Sequence, residues 1–286
     1  MISPKELINM ANGSDLASIR QILNKIIQVA LDPQSNAVDL KNLIEADPPL
    51  TAKILRRANS AFYGMPRKVS DVLDAIMFIG FEAVKELAIS QAVVDLFQNG
   101  EIHQNGYSRN SLWIHCVAVA SCAKLIARRE LRRYGNEVYT AGLLHDIGLI
   151  MMDQFLKDDF LRALRDMERN GRDIRQVEEE IFQFRHDDVG GLLLEEWNFP
   201  LNIEMAVRQA ESPTMDQIEQ HAETAILHIA HFSCHRRNLG YLEPIPHDSL
   251  LYQRCLWKFG IEERAMEFIM DDVEGQIQQM VEHDWF

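Results

Sequence analysis

The sequence predicts an all-α protein. Apolar residues recur at spacings of three and four from the first clear segment onward, and residues that start helices precede one segment after another. No strand-like alternation bounded by hairpin turns occurs, nor does a heptad array or a fixed-period repeat.

Leu16, Ile19, Ile22, Leu23, Ile26, Ile27 and Ala30 lie along one helical face, and Asp32-Pro33 marks the end of that helix. A short helix over 37–46 follows. Asp47 then serves as an amino cap with Pro48 in the first helical position, where a missing N–H costs nothing. The segment LTAKILRRANSAFYG continues that helix to a stop near Gly64. Ser70 is placed to cap a helix from Asp71, and Gly80 interrupts the apolar pattern before a longer helix over 81–97. The polar stretch FQNGEIHQNGYSRN, 97–110, with Gly100 and Gly106, is the best internal boundary. Beyond it, Asn110 or Ser111 caps a long Ala-rich helix to about Tyr134, and Asn136 caps the helix that bears His145 and Asp146. Further helices are expected near 157–169, 174–184, 187–197, 200–210, 216–237, 248–259 and 263–282.

The 286 residues are 47% hydrophobic, enough for a sizeable core. A net charge of -14 disfavours nucleic acid as the main partner, because phosphate is bound through Lys and Arg. Basic clusters exist all the same, the densest being Arg128, Arg129, Arg132 and Arg133. Two readings fit it: cations complementing a helix carboxyl end, with Gly135 in a cap position, or a site for an anion or acidic partner. The four cysteines form no Cys-x-x-Cys pair and read as reduced and packed. Apolar runs fall short of a bilayer span and the amino terminus lacks a leader pattern, so a cytoplasmic protein without membrane insertion is expected. Phosphate-gripping Gly-rich loops, G-x-S-x-G and H-E-x-x-H are all absent.

Chemistry therefore rests with the histidines. His145 and Asp146 stand side by side in AGLLHDIGLIMMDQF. Further ligands would have to come from other helices: His115 in SLWIHCVAVA, His186 in FRHDDVGG, and His228 or His231 in AILHIAHFSC. Imidazole suits Zn, Fe, Mn or Ni, and a carboxylate widens the choice. The plainer alternative is a set of buried hydrogen bonds from His145 and Asp146 across to His115 and His231. For His186 the plainer role is to cap or flank a helix beginning near Asp187, and His103, His221, His235, His247 and His283 read as surface residues.

The order LWIHCVAVA, AGLLHDIG, HDDVGGLLLEEWNFP resembles the HD superfamily of metal-dependent phosphohydrolases. The segment DPPLTAKILRRANSAFYGMPRKVSDVLDAIMFIGFEAVKELAIS resembles the signature of the HDOD domain, an HD-related output domain of bacterial signalling proteins. The resemblance spans about 15–237. It implies an amino-terminal helical lobe (1–109), an HD-like helical lobe (110–239) and a carboxyl-terminal helical extension (240–286). It also implies one divalent ion on His115, His145, Asp146 and His231, with His186 a weaker candidate.

Departures from the hydrolytic pattern are clear. Gly148-Leu149 stands where relatives carry Gly-Lys, and Arg208, Gln209 and Ala210 stand where they carry histidines, so a second metal would lack ligands. His231 replaces the closing aspartate, and the GYP loop of cyclic di-GMP phosphodiesterases is absent. The resemblance thus implies a non-catalytic regulator working through a sensor kinase, a receiver domain or a transcriptional regulator. The alternative is a single-metal phosphohydrolase of a nucleotide or cyclic dinucleotide, with Asp146 catalytic; a third possibility is a structural or empty polar site. Asn59, Ser60, Phe62 and Tyr63 carry the HDOD signature, either fixing a turn or presenting a contact surface.

Overall fold

The computed structural model describes residues 2–14, 16–32, 34–64, 67–97, 107–241 and 249–283. Every regular element among them is helical, and the fold is all-α. Pro33, His103, His247 and most of the polar stretch with Gly100 and Gly106 lie outside the described residues.

The amino-terminal part contains α1 (Pro4–Asn12), α2 (Leu16–Leu31), α3 (Ala37–Glu45), α4 (Pro48–Ala58), α5 (Val72–Ile79) and α6 (Phe81–Phe97). Helix α1 was not anticipated, although its signal was legible: Ser3 and Glu6 form a reciprocal capping box and Pro4 opens the helix. Helix α4 ends at Ala58, so Asn-Ser-Ala-Phe-Tyr-Gly is a turn and not helix. Asn59 closes the turn. Its amide donates to the carbonyls of Leu55 (2.8 Å) and Val69 (2.9 Å), and its Oδ1 accepts from the Val69 N–H at 2.8 Å. Asp71, not Ser70, caps α5, because its carboxylate accepts from the Asp74 N–H at 2.9 Å.

The second part begins with α7 (Arg109–Leu125), which continues as a π-helical turn over Ile126–Glu130. Its cap is Ser108, not Asn110 or Ser111: Ser108 Oγ accepts from the Ser111 N–H, and Ser111 reciprocates. Then come α8 (Asn136–Leu144), α9 (Ile147–Phe155), α10 (Lys157–Asn170), α11 (Ile174–Ile181), α12 (His186–Glu196), α13 (Leu201–Gln209), α14 (Met215–Gln220) and α15 (Ala222–Arg236). Gly135, not Asn136, holds the cap position of α8. The single helix expected over 216–237 is two, broken at His221, whose backbone is extended. Helices α16 (Ser249–Phe259) and α17 (Glu263–Glu282) complete the chain.

Helix α7 is the axis of the second part. It is long and apolar enough, with its π turn, to cross a bilayer by length and composition, contrary to the expectation from apolar runs. Its residues instead pack inside the fold, against α8, α15 and α17. Met266, Ile269, Met270, Val273 and Ile277 of α17 are buried on this side, and Cys122 Sγ lies 3.6 Å from Met270 Sδ. All four cysteines are buried, and none is joined in a disulfide.

The two parts are pinned together. Arg20 and Asn24 of α2 donate to the carbonyls of Glu196 (2.7 Å) and Trp197 (2.8 Å) at the end of α12, satisfying acceptors that a helix end leaves open. Glu86 pairs with Lys124, Ser90 shares a 2.8 Å hydrogen bond with Tyr139, and α1 packs on α9 and α12.

Candidate metal centre

Three elements converge on one buried point. Helix α7 supplies His115, the junction of α8 and α9 supplies His145 and Asp146, and α15 supplies His231. The sequence suggests one helix through His145 and Asp146. The chain instead turns there, with Asp146 at φ -103, ψ 19. Glycines allow the close approach: a Cβ on Gly142 would stand 2.5 Å from Ala120 Cα, and one on Gly148 would stand 1.9 Å from the His186 carbonyl oxygen. Gly148 thus lets the start of α12 abut the turn.

The three imidazoles form a near-equilateral triangle, with ring centroids 5.4 Å (His115–His145), 5.2 Å (His115–His231) and 5.2 Å (His145–His231) apart. His115 Nδ1 is 2.9 Å from the Leu239 carbonyl, and His145 Nδ1 is 2.7 Å from the Gly142 carbonyl. A carbonyl only accepts, so both Nδ1 atoms carry protons and both Nε2 lone pairs turn inward. One ligand atom from each of the three histidines lies within 4.8 Å of the others. His145 Nε2 stands 3.1 Å from Asp146 Oδ2, but without hydrogen-bond alignment. Among the described residues His231 Nε2 and both Asp146 oxygens also lack partners, although the residues are only 6% and 1% exposed. Inward lone pairs facing a buried carboxylate are costly unless a proton or a cation lies between them. The donor set fits a divalent ion that accepts nitrogen and oxygen.

The electrostatics agree. Burial pushes the His115 imidazole down to about 4, helped by His145, and drives His231 well below the usual range with help from both neighbours. For His145 burial also acts downward, but the Asp146 carboxylate outweighs it and raises the group. Burial would raise Asp146; His145 above all outweighs it and holds the carboxyl down. The pocket thus presents an anion and two neutral imidazoles to whatever occupies it.

A second cluster shares Asp146. His186, expected to cap or flank the helix beginning near Asp187, is the first residue of α12 and fully buried. Its Nδ1 is 2.9 Å from both carboxylate oxygens of Glu178, and its Nε2 is 2.7 Å from Glu211 Oε1. Asp146, His186 and Glu211 bring their ligand atoms within 4.8 Å of one another. Sequence reasoning missed both glutamates. Glu178 had a signal, a carboxylate on the same face as Ile174, Val177 and Ile181. Glu211 had none; it follows the end of α13 and supplies a carboxylate where the lost histidines were thought to leave a gap. Burial would lower the His186 imidazole, but Glu178 and Glu211 outweigh it and hold it well above its ordinary value. This cluster therefore favours a proton on His186 between two carboxylates, although the His186 Nε2–Glu211 contact lacks hydrogen-bond alignment.

Other candidates lie elsewhere. His228 points its Nδ1 at the Ala210 carbonyl, 2.7 Å away, so His231 rather than His228 joins the triangle. Cys116 comes within the same 4.8 Å range of His145 and Asp146. Arg208 pairs with Glu195 and Glu204. Phe62 and Tyr63 are half-buried, their rings edge to face at 5.0 Å. Arg128, Arg129, Arg132 and Arg133 are exposed on and after the π turn, and Arg129 pairs with Asp272 of α17.

Comparison with known proteins adds the following. The profile of the HDOD domain matches residues 16–213. The crystal structure of an HDOD domain protein of unknown function from Geobacter sulfurreducens is similar at TM-score 0.78 and 28% identity, over 91% of this chain and 90% of that one. A protein from Marinobacter aquaeolei VT8, provisionally named a signal transduction protein, is similar at TM-score 0.79 and 23% identity, over 91% of this chain and 57% of that one. A third, from Shewanella amazonensis SB2B and provisionally named a phosphohydrolase, is similar at TM-score 0.70 and 20% identity, over 93% of each chain. An uncharacterized protein of Treponema pallidum (strain Nichols) is 20% identical over 190 residues, 64% of this chain and 35% of that protein, so the match spans about a third of that relative.

Proposed function

The chain belongs to the HDOD domain family, and from that premise we propose that it is a signal-transduction protein. It acts by binding protein partners and keeps an HD-type metal site for structure and regulation, not for hydrolysis. The observation that carries this reading is the inward-facing trio His115, His145 and His231 beside the unpartnered Asp146 carboxylate. Those four residues would hold one divalent ion, with Zn, Fe, Mn and Ni as candidates. Such an ion, if it kept an open position, would supply Lewis acidity and an activated water. Four protein donors would fill a tetrahedral ion and leave none open. Leu149 adds no cation for a phosphate, and the neighbouring His186 faces two carboxylates, Glu178 and Glu211, rather than the pocket.

Partners of the kind expected are a sensor kinase, a receiver domain or a transcriptional regulator. The signature turn is the surface offered to them: Asn59 locks it, Met77 is 67% and Phe78 42% exposed nearby in sequence, and Arg67 lies 5.3 Å over the Phe78 ring. Exposed apolar side chains with a cation beside them suit a partner segment with acidic and apolar residues.

The test is elemental analysis of untagged protein purified without chelator, beside His145→Ala. A metal-to-protein ratio near one that falls to near zero in the variant is expected, together with no phosphoester hydrolysis in either. A ratio near zero in the wild type removes the metal from this reading. Hydrolysis abolished by Asp146→Ala with the fold intact replaces the reading with the phosphohydrolase.

A further inference from the structure

The π turn at the end of α7 carries features that the metal centre does not use. Arg128, Arg129, Arg132 and Arg133 are all exposed there, and Tyr134 beside them is 91% exposed. Among the described residues Arg128, Arg132 and Arg133 have no carboxylate within ion-pair distance. Arg132 also adopts φ +54, a left-handed backbone that a long side chain rarely takes. A π turn followed by a strained residue is costly unless the surface it shapes is used.

Next to this ridge lies a surface of opposite sign. From its cap to its last turn α17 carries Glu262, Glu263, Glu267, Asp271, Asp272, Glu274 and Glu282 against one cation of its own, Arg264, while Arg237 at the end of α15 pairs with Asp271 at 3.2 Å and Glu274 at 2.8 Å and leaves the other acids in excess. The two surfaces touch, since Arg129 reaches Asp272 at 2.5 Å with both side chains nearly half exposed. One turn before Asp272 stands Phe268, 60% exposed with Arg264 over its ring at 5.8 Å. Two turns beyond Phe268 is Gly275, where an added Cβ would meet nothing within 4 Å. The outer face of α17 is thus acidic, carries one apolar anchor and is low enough for another backbone to approach.

We propose that this face binds a second copy of the chain. Adjacent patches of opposite sign are self-complementary under a two-fold axis: the arginine ridge of each protomer meets the acidic α17 of the other, twice over. Arg and aromatic side chains at the centre of such a patch are the residues that carry binding energy. Nucleic acid is a poor alternative occupant, because the acids of α17 would stand beside its phosphates on a chain of net charge -14. This interface is independent of the metal centre.

The test is sedimentation equilibrium of the full chain across a concentration series, at about 50 mM and about 500 mM salt, between which the screening length falls roughly threefold. A dimer at low salt, with dissociation at least tenfold weaker in affinity at high salt, is expected. Arg132→Glu with Arg133→Glu, and separately Asp271→Lys with Asp272→Lys, are each expected to be monomeric. An equimolar mixture of the two variants is expected to form a heterodimer, since both contacts regain opposite charge. Circular dichroism checks that both are folded, and Phe268→Ala, which changes no charge, is expected to weaken the dimer as well. A wild type that is monomeric throughout, a reversed variant that still dimerises, or a mixture that stays monomeric overturns the proposal. An acidic protein of another kind as the true occupant would give the first of these results.

Discussion

Asp146 faces both clusters, the neutral histidines on one side and the His186 imidazolium with Glu211 on the other. Its removal is therefore felt in two places. Asp146→Asn is expected to weaken metal retention in elemental analysis, because the one anionic donor is lost and the three imidazoles alone must hold the ion. The second cluster yields a pH dependence. The His186 pKa is raised in the folded chain, so its stabilisation is fully present below its unfolded value near 6.5 and is lost as pH rises through the folded value. In chelator, stability should therefore fall on the alkaline side of neutrality. Glu211→Gln is expected to lower neutral-pH stability by about 3 kcal/mol, the scale for breaking a buried pair, and to flatten that alkaline fall. Urea midpoints from pH 6 to 10 measure it; an unchanged slope would sever His186 from the effect. At this scale the sequence named His115, His145, Asp146 and His231 through a recognisable order of motifs. It could not name Glu211, since nothing local distinguishes that glutamate from a solvated one.

At the scale of elements, glycines decide how near the helices come. Gly148→Ala would set a methyl against the His186 carbonyl, and backbone cannot swing aside as a side chain can. A loss above about 3 kcal/mol in urea denaturation is expected, or failure to fold. The bend after α15 is a subtler case. Gly240 has φ +81 and would place a Cβ 2.4 Å from the His115 amide nitrogen, and the preceding Leu239 carbonyl orients His115 through Nδ1. Gly240→Ala is expected to weaken metal binding by roughly 10- to 100-fold, the usual effect of losing a group that orients a ligand. Metal titration would show it, and unchanged affinity with a folded variant would detach the bend from the site. Helix existence was legible from apolar spacing throughout. Helix ends were less so: Ser108 and Asp71 are the caps because each has extended backbone and a side-chain oxygen that accepts from an N–H of the first turn.

For the molecule as a whole, the candidate metal site draws on the second part from α7 to the bend after α15, and α2 pins that part through the end of α12. A ligand held only by the folded chain stabilises it by mass action, about 2.7 kcal/mol at roughly 100-fold over Kd. Zinc is therefore expected to raise the melting temperature of the wild type and to leave His145→Ala unmoved. If both rise equally, the ion binds elsewhere. By itself the sequence determined the helical class and the family and offered His115, His145, Asp146 and either His228 or His231 as candidate ligands, because apolar period and motif order are written along the chain. Only the tertiary structure decided that the chain turns at His145 and Asp146, that His186 is buried between Glu178 and Glu211, and that an arginine ridge borders an acidic helix. Each of those depends on groups far apart in sequence brought within a few ångströms, and local pattern carries no record of such distances.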